Sequence, residues 1–258
     1  MRDMSVPGAV QDLDRLQTAE VAVDSDGFPV PAYLARPRDA AARPGIIVVH
    51  DAAGLADHTR DVARRFANAG FDAIAPDLYA RTGAPVPGDQ ATIFPAMLRV
   101  SDAGVVRDLA ASAAHVRGLE GGNGRVGTVG FCSGGRHALL FACSSDSVDA
   151  AIPCWPGFID RATPDEVTTE NRPAPVIDLA EDLRCPLLLA GGAEDLNPSP
   201  ELLTILAERM RRAGKNVTLE IFANAGHAFF HDGRPAYREE AAQRLWPLML
   251  EFLASYLR

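Results

Sequence analysis

The feature that most constrains this chain is a cysteine that stands between two glycines, each two residues away. Cys132 lies between Gly130 and Gly134, after an apolar run at residues 125–129 and before a small-residue apolar segment at residues 137–143. This order predicts a strand, a sharp turn and a helix. Such a turn strains the backbone of its central residue, and side chains at the glycine positions would collide with the neighbouring strand and helix. The pattern therefore predicts a cysteine raised above the end of a strand, at a helix N-terminus that favours thiolate; a buried cysteine in a glycine-rich turn is the alternative.

The alternation of apolar runs predicts the fold class. Strand-like runs occur at residues 20–23, 30–35, 46–49, 71–75, 125–129, 150–154, 186–190 and 217–222. Helix-like segments separate most of them, with no break in composition and no internal repeat, which favours one α/β domain over residues 1–258. We predict a doubly wound, mostly parallel sheet with helices on both faces. Residues 1–18 are predicted to form a surface arm, and the proline-rich residues 156–184 a loop excursion over the site.

Composition excludes several classes of partner. The net charge of −9 argues against nucleic acid or an anionic membrane as the main partner. The chain has no apolar run near the roughly 18 residues that cross a bilayer, and residues 1–17 lack the apolar segment of a signal peptide. The four cysteines form no C-x-x-C pair, so we expect no metal, reduced thiols and a cytoplasmic location. Three of them lie in apolar surroundings and are predicted to be inert core thiols: Cys143, Cys154 and Cys185.

Three further loops follow predicted strands, where open α/β sheets place their ligands. Residues 50–54 follow the strand at 46–49, and residues 191–195 and 224–227 follow the last two strands. The cysteine turn and the last two of these loops give the order cysteine, acid, histidine along the chain. Three polar groups are therefore predicted to meet at one edge of the sheet.

A cysteine, a histidine and an acid are the residue types that a thiol nucleophile needs. A thiol near its free pKa is only a few per cent ionised at pH 7, so His227 would take its proton or pair with the thiolate. Asp195 would orient the imidazole, with Glu194 as the competing acid one residue away. Backbone N–H groups of Ala52 and Ser133 would hold an oxyanion.

The chain resembles the dienelactone hydrolase family of the α/β-hydrolase superfamily from about residue 21 to the end. The resemblance rests on four motifs in order: Gly130-Phe131-Cys132-Ser133-Gly134-Gly135, Pro76-Asp77-Leu78-Tyr79, Gly192-Ala193-Glu194-Asp195 and Gly226-His227-Ala228-Phe229. It implies an α/β-hydrolase fold, the G-x-S-x-G turn with cysteine for serine, and a triad of Cys132, Asp195 and His227. It also implies hydrolysis of lactones and activated esters through a thioester, without metal or organic cofactor.

The resemblance assigns further residues around the thiol. Asp51 stands where family members carry a glutamate that contacts the resting thiol, so it is predicted to modulate the thiol, with a helix cap as the alternative. Trp155 and Phe229 are predicted to line the substrate pocket, with a core role as the alternative. His231 stands where the family has an arginine that binds the substrate carboxylate, and is predicted to be a pocket residue; an exposed loop position is the alternative. Arg136 is expected to be a solvated side chain.

These inferences combine into one functional hypothesis. The chain is predicted to be a cysteine-dependent hydrolase of a small lactone, enol-lactone or activated ester, acting as a monomer or homodimer on a small molecule. A general carboxylesterase or thioesterase is the alternative among enzymes. A non-catalytic ligand-binding or redox-sensing protein, in which Cys132 is merely oxidisable, is the alternative from another class.

Overall fold

The structure is a computed structural model that describes residues 6–39, 41–160 and 169–258. The strands are β1 (Leu16–Ser25), β2 (Phe28–Pro37), β3 (Arg43–Val49), β4 (Asp72–Pro76), β5 (Gly122–Phe131), β6 (Ala150–Cys154), β7 (Leu187–Gly192) and β8 (Val217–Phe222). The helices are α1 (Asp57–Asn68), α2 (Ile93–Arg99), α3 (Asp102–Arg117), α4 (Ser133–Ser144), α5 (Pro200–Arg212) and α6 (Glu239–Tyr256). Within the described ranges, no helix is both long enough and apolar enough to cross a membrane.

All eight strands form one sheet in the order β1-β2-β4-β3-β5-β6-β7-β8. β1 pairs with β2, and β2 with β4, in antiparallel fashion, whereas the pairs from β4 through β8 are parallel. The parallel part therefore places the ends of β3, β5, β7 and β8 at one edge, where the predicted site residues follow them.

Two apolar cores lie on the two faces of this sheet. One contains side chains of α1 and α6, such as Phe66 and Met249. The other contains side chains of α3, α4 and α5, such as Leu109, Phe141 and Leu203. Strands covered on both faces are continuous apolar runs, as residues 46–49 of β3 show. The predicted doubly wound α/β fold is thus confirmed.

The predicted surface arm at residues 1–18 is too long. Residues 1–5 lie outside the described part, but β1 already begins at Leu16, and both Val10 and Leu16 are buried. The start of β1 was missed because it is an edge strand: the exposed residues 17–20 give it no alternation of apolar and polar side chains.

The predicted excursion at residues 156–184 is only partly correct, and residues 161–168 lie outside the described part. Residues 156–158 pass beside Cys132, since the Gly157 N–H donates to the Cys132 carbonyl at 3.4 Å. A 3₁₀ helix at Val176–Asp182 instead buries Val176 and Ile177 in the core shared with α4 and α5. The prolines correctly predicted irregular backbone, but the apolar side chains between them pack into the core instead of covering the site.

Candidate active site

Cys132 joins β5 directly to α4. Its φ of +57° and ψ of −119° lie in a region that strains any residue with a side chain. The turn is secured on both sides: the Cys132 N–H donates to the Cys154 carbonyl at 3.1 Å, and the Arg136 N–H donates to the Cys132 carbonyl at 3.0 Å. Cys132 is partly exposed and lines a pocket. The sharp turn predicted from the glycine spacing is present.

The flanking glycines are required by contacts between backbones. A Cβ at Gly130 would overlap the Gly134 carbonyl, and a Cβ at Gly134 would overlap the carbonyls of Val49 and His50. The start of α4 therefore lies directly against the end of β3. This approach brings the helix N-terminus to the loop at residues 50–54.

His227 and Asp195 meet across the neighbouring loops that follow β8 and β7. His227 Nδ1 lies 2.9 Å from Asp195 Oδ2, and the Asp195 side chain is 2% exposed. The two loops are held in register because the Glu194 N–H donates to the Ala225 carbonyl at 2.8 Å. That bond leaves the Glu194 side chain exposed and turns Asp195 inward. The geometry thus selects Asp195 over Glu194 as the partner of His227.

His227 also contacts the thiol of Cys132. Burial opposes a charge on the imidazole, but hydrogen bonds to Asp195 and Cys132, together with their negative charges, raise the pKa of His227 to about 10. Since Nδ1 is engaged by Asp195, Nε2 is the ring nitrogen available to the sulfur. Cys132, His227 and Asp195 therefore form a connected row in which a proton can pass between sulfur and imidazole.

The two residues predicted to supply oxyanion donors lie at the start of α4 and in the loop after β3. Ser133 is the first residue of α4, so its N–H has no acceptor within the helix. Ala52 lies in the loop after β3, against which α4 packs, and its carbonyl accepts a 3.1 Å hydrogen bond from the Tyr79 hydroxyl. His50 anchors the same loop: its buried ring accepts the Leu78 N–H at Nε2, 3.1 Å away. Two adjacent residues of the segment after β4 thus hold this loop.

Asp51 lines the pocket with Cys132, but its carboxylate is engaged elsewhere. Oδ2 lies 3.0 Å from Nη2 of Arg234, and Oδ1 accepts the Ala53 N–H at 2.8 Å. The alternative role as a helix cap is wrong, because α1 begins at Asp57 after Ala56 as its N-cap. Nothing in the sequence pattern singled out Arg234, which reaches Asp51 only because the loops after β3 and β8 converge.

The pocket beside Cys132 is a narrow cavity of about 20 Å³, which has room for about one water molecule. Trp155 lines it. Phe229 does not, contrary to the prediction: its ring is fully buried, 4.6 Å from Trp155 and 5.1 Å from Phe222 between ring centroids. The backbone turns at Ala228, with a φ of +63°, and places Ala228 and Phe230 on the pocket wall instead.

His231 lines the pocket, as predicted, and stacks on a histidine that the sequence did not single out. The ring centroids of His231 and His58 are 3.6 Å apart and the ring planes differ by 11°. His58 lies in the first turn of α1, a position without any motif around it. Burial, together with the neighbouring charges of His58 and Arg234, lowers the pKa of His231 to about 4.

Arg136 is not solvated, contrary to the expectation. It is 2% exposed and binds both carboxylate oxygens of Asp102, at 2.6 Å and 3.0 Å. The three remaining cysteines are free and buried, and burial raises the pKa of each thiol, for Cys143 and Cys185 to about 12. Their predicted place in the core is therefore confirmed.

The described part of the chain contains no cluster of metal-ligating side chains. Histidine, cysteine, aspartate and glutamate side chains form no group of three or more there that could hold a metal ion. The described geometry brings together a partly exposed thiol, an imidazole beside it and a buried carboxylate behind the imidazole.

Known proteins match this chain over nearly its whole length. The model of the family described as "Dienelactone hydrolase family" matches residues 30–257. A Methylorubrum extorquens protein, provisionally named a carboxymethylenebutenolidase, is 34% identical over 248 residues, which cover 95% of this chain and 83% of that protein. A Bradyrhizobium sp protein, provisionally named a 2-oxo-3-(5-oxofuran-2-ylidene)propanoate lactonase, is 29% identical over 238 residues, or 92% of this chain and 94% of that protein.

A solved structure agrees with the fold. The crystal structure of a Klebsiella pneumoniae subsp. pneumoniae protein, provisionally described as a dienelactone hydrolase, superimposes with a TM-score of 0.86. The two sequences are 33% identical, and the match covers 93% of this chain and 99% of the other.

Proposed function

Because this chain belongs to the dienelactone hydrolase family of α/β-hydrolases, we propose that it is a cysteine-dependent hydrolase of a small lactone, enol-lactone or activated ester, acting through a thioester. The observation that carries this proposal is the connected row of Cys132, His227 and Asp195 at the sheet edge. An inert cysteine in a glycine-rich turn would need no imidazole beside it. The strained turn, the thiol contact and the buried acid together favour a nucleophile.

The first half-reaction forms the thioester. In the proposed step the Cys132 sulfur attacks the carbonyl carbon of the ester as the thiolate paired with a charged His227. The carbonyl oxygen becomes an oxyanion that accepts the N–H groups of Ser133 and Ala52. The intermediate collapses, the C–O bond breaks, and the leaving oxygen takes the proton from His227 Nε2. Asp195 keeps the proton on Nδ1 throughout and so holds the productive tautomer.

The second half-reaction releases the acid. His227, now neutral, takes a proton from water, and the hydroxide oxygen attacks the thioester carbonyl. The C–S bond breaks, the acid product departs, and the thiolate and charged imidazole are restored. In this sequence neither step consumes an oxidant or a reductant.

The chemistry of sulfur limits the substrate class. A thiolate leaves the first tetrahedral intermediate more readily than a simple alkoxide, so acylation succeeds when the leaving oxygen is stabilised. Enol and aryl oxygens meet this condition.

Acetylation by 4-nitrophenyl acetate tests the proposal. We expect steady turnover, and after rapid quenching one acetyl group on the peptide that contains Cys132. Cys132→Ala should abolish both, whereas Cys185→Ala, which removes a buried thiol outside the pocket lining, should keep both. A protein that consumes peroxide at Cys132 but cleaves no ester would instead be a redox sensor, and the proposal would be wrong.

A further inference from the structure

One backbone N–H in the loop after β3, that of Ala52, has no hydrogen-bond acceptor among the described residues. The other three polar atoms of the two peptide groups around Ala52 are engaged. The Asp51 carbonyl accepts the Gly54 N–H at 3.1 Å. The Ala53 N–H donates to Asp51 Oδ1 at 2.8 Å, and the Tyr79 hydroxyl donates to the Ala52 carbonyl at 3.1 Å. The Ala52 N–H is therefore the group of these two peptides that is available to a bound molecule.

The imidazole of His50 holds the other end of the same peptide group. His50 Nδ1 lies 2.7 Å from the carbonyl oxygen of Asp51, and one peptide bond joins this carbonyl to the Ala52 N–H. The bond is trans, so the carbonyl and the N–H point in opposite directions. A ring that fixes the carbonyl on one side therefore also fixes the direction of the N–H on the other side.

Only one form of this imidazole satisfies both of its neighbours. A carbonyl oxygen can only accept, so His50 Nδ1 carries a proton. The Leu78 N–H donates to Nε2 at 3.1 Å, so Nε2 carries a lone pair. The residue is 2% exposed, and burial lowers the pKa of His50 despite the charges of Asp77 and Asp51. His50 is therefore a neutral Nδ1–H tautomer with no nitrogen left to touch a substrate.

The surroundings of His50 leave the ring little freedom to turn. Leu78 is buried two residues after the end of β4, and the Tyr79 ring lies 5.1 Å from the His50 ring between centroids. On the other side, the His50 carbonyl lies so close to Gly134 that a Cβ there would overlap it. His50 thus packs against the start of α4, where Ser133 carries the other predicted oxyanion donor.

We propose that His50 is a positioning residue for the oxyanion: its neutral ring directs the Ala52 N–H at the substrate oxygen and strengthens that N–H as a donor. The donor is strengthened because a hydrogen bond accepted by a peptide carbonyl polarises the whole peptide group. His50 supplies no proton and forms no bond in the reaction, since it acts only through the peptide. This role rests on the function proposed above, in which the oxyanion forms on attack by Cys132.

Two variants separate the contact of His50 with the peptide from its contact with Leu78. Asparagine places an amide nitrogen as many bonds from the backbone as Nδ1 and can donate to the Asp51 carbonyl, whereas glutamine reaches the place of Nε2 and can accept from Leu78. His50→Gln should lower the rate of acylation by 4-nitrophenyl acetate by about tenfold or more, because complete loss of one oxyanion donor costs about 10²- to 10³-fold. His50→Asn should stay within about threefold of wild type. A larger loss in His50→Asn than in His50→Gln would overturn the inference.

Alkylation by iodoacetamide separates positioning from general damage. It displaces iodide from a saturated carbon, so it uses the Cys132 sulfur without forming an oxyanion. The ratio of the acylation rate to the alkylation rate should fall about tenfold in His50→Gln. It should stay at the wild-type value in His137→Gln, which replaces another buried histidine, on α4.

The outcomes of this comparison differ for the two proposals. An unchanged ratio in His50→Gln, or an equal fall of the ratio in His137→Gln, would overturn the positioning role and leave the proposed function intact. A wild-type protein that is alkylated at Cys132 but never acylated would overturn the proposed function and the positioning role with it.

The tautomer of His50 in the wild-type protein gives a test that needs no variant. Nitrogen-15 NMR at pH 7, assigned through the backbone resonances of His50, should show a protonated Nδ1 and an unprotonated Nε2. A proton on Nε2 would be incompatible with the hydrogen bond from Leu78. That result would overturn the positioning role even if His50→Gln does not fold.

Discussion

Arg234 forms a 3.0 Å ion pair with Asp51 at the mouth of the pocket that contains Cys132. The pair connects the loop after β8 to the loop after β3, and it occupies the carboxylate that was predicted to act on the thiol. The negative charge near the sulfur is thereby partly neutralised in the resting protein.

Iodoacetamide alkylation of Cys132 should respond in opposite directions to the two halves of this pair. Arg234→Gln frees the carboxylate and should slow alkylation at pH 7 by about threefold, because an unpaired anion disfavours thiolate. Asp51→Asn leaves the cation and should speed alkylation. Arg238→Gln is the matched control, since among the described residues its guanidinium donates to the backbone carbonyls of residues 235 and 237. Equal rates in all four proteins would show that Asp51 does not act on the sulfur.

Substitutions of Cys132 should separate activity from stability. Cys132→Ala should abolish ester hydrolysis with little effect on folding, and Cys132→Ser should keep at most a trace, because serine needs a stronger base. Cys132→Gly should also be inactive but more stable than the alanine variant by about 1 kcal/mol, since the φ of +57° suits glycine. Urea unfolding measures the difference; an alanine variant with wild-type turnover would contradict the nucleophile assignment.

Asp195 and Glu194 should differ widely in their effect on rate. Asp195→Asn is expected to lower kcat by about 10⁴-fold, because the amide stabilises the wrong tautomer of His227. Glu194→Gln changes an exposed side chain and should cost less than about twofold. Steady-state kinetics on 4-nitrophenyl acetate compare them, and the reverse ranking would exclude Asp195 as the orienting acid.

The charge of His227 should make the fold more stable at neutral than at alkaline pH. Its pKa of about 10 in the folded protein exceeds the ordinary value of 6.5, so the folded state binds this proton more tightly than the unfolded state does. The contribution is complete below pH 6.5 and is lost as the pH rises through 10. The free energy of unfolding of wild type, minus that of His227→Gln, should therefore fall from pH 6.5 to pH 10, and a constant difference would argue against the raised pKa.

The buried ion pair behind the cysteine turn should be sensitive to loss of either charge. Asp102→Asn leaves Arg136 buried beside Arg172 without a carboxylate and should cost about 3–5 kcal/mol of unfolding free energy. Arg212→Met breaks an exposed pair with Glu208 and should cost less than about 1 kcal/mol. Guanidinium unfolding measures both losses of unfolding free energy. A loss for Asp102→Asn as small as that for Arg212→Met would mean that Arg136 is solvated.

The sequence by itself determined the cysteine turn and the order of strands and helices. Gly130 is required by its contact with the Gly134 carbonyl and Gly134 by its contact with the end of β3, and because no other residue fits at either position their spacing could be recognised in the sequence. Most strands were visible as apolar runs because both faces of the sheet are covered. The edge strand β1 lacked such a pattern at its start, so its first residues were misjudged as part of the arm.

Only the tertiary structure decided which side chains meet. The choice of Asp195 over Glu194 depends on a hydrogen bond between two loops, and the burial of Arg136 depends on the packing of α4 against α3. The pairs Asp51–Arg234 and His58–His231 join residues far apart along the chain. Backbone crowding that admits only glycine leaves a pattern in the sequence, whereas ion pairs and ring stacks depend on which strand ends the sheet order places side by side.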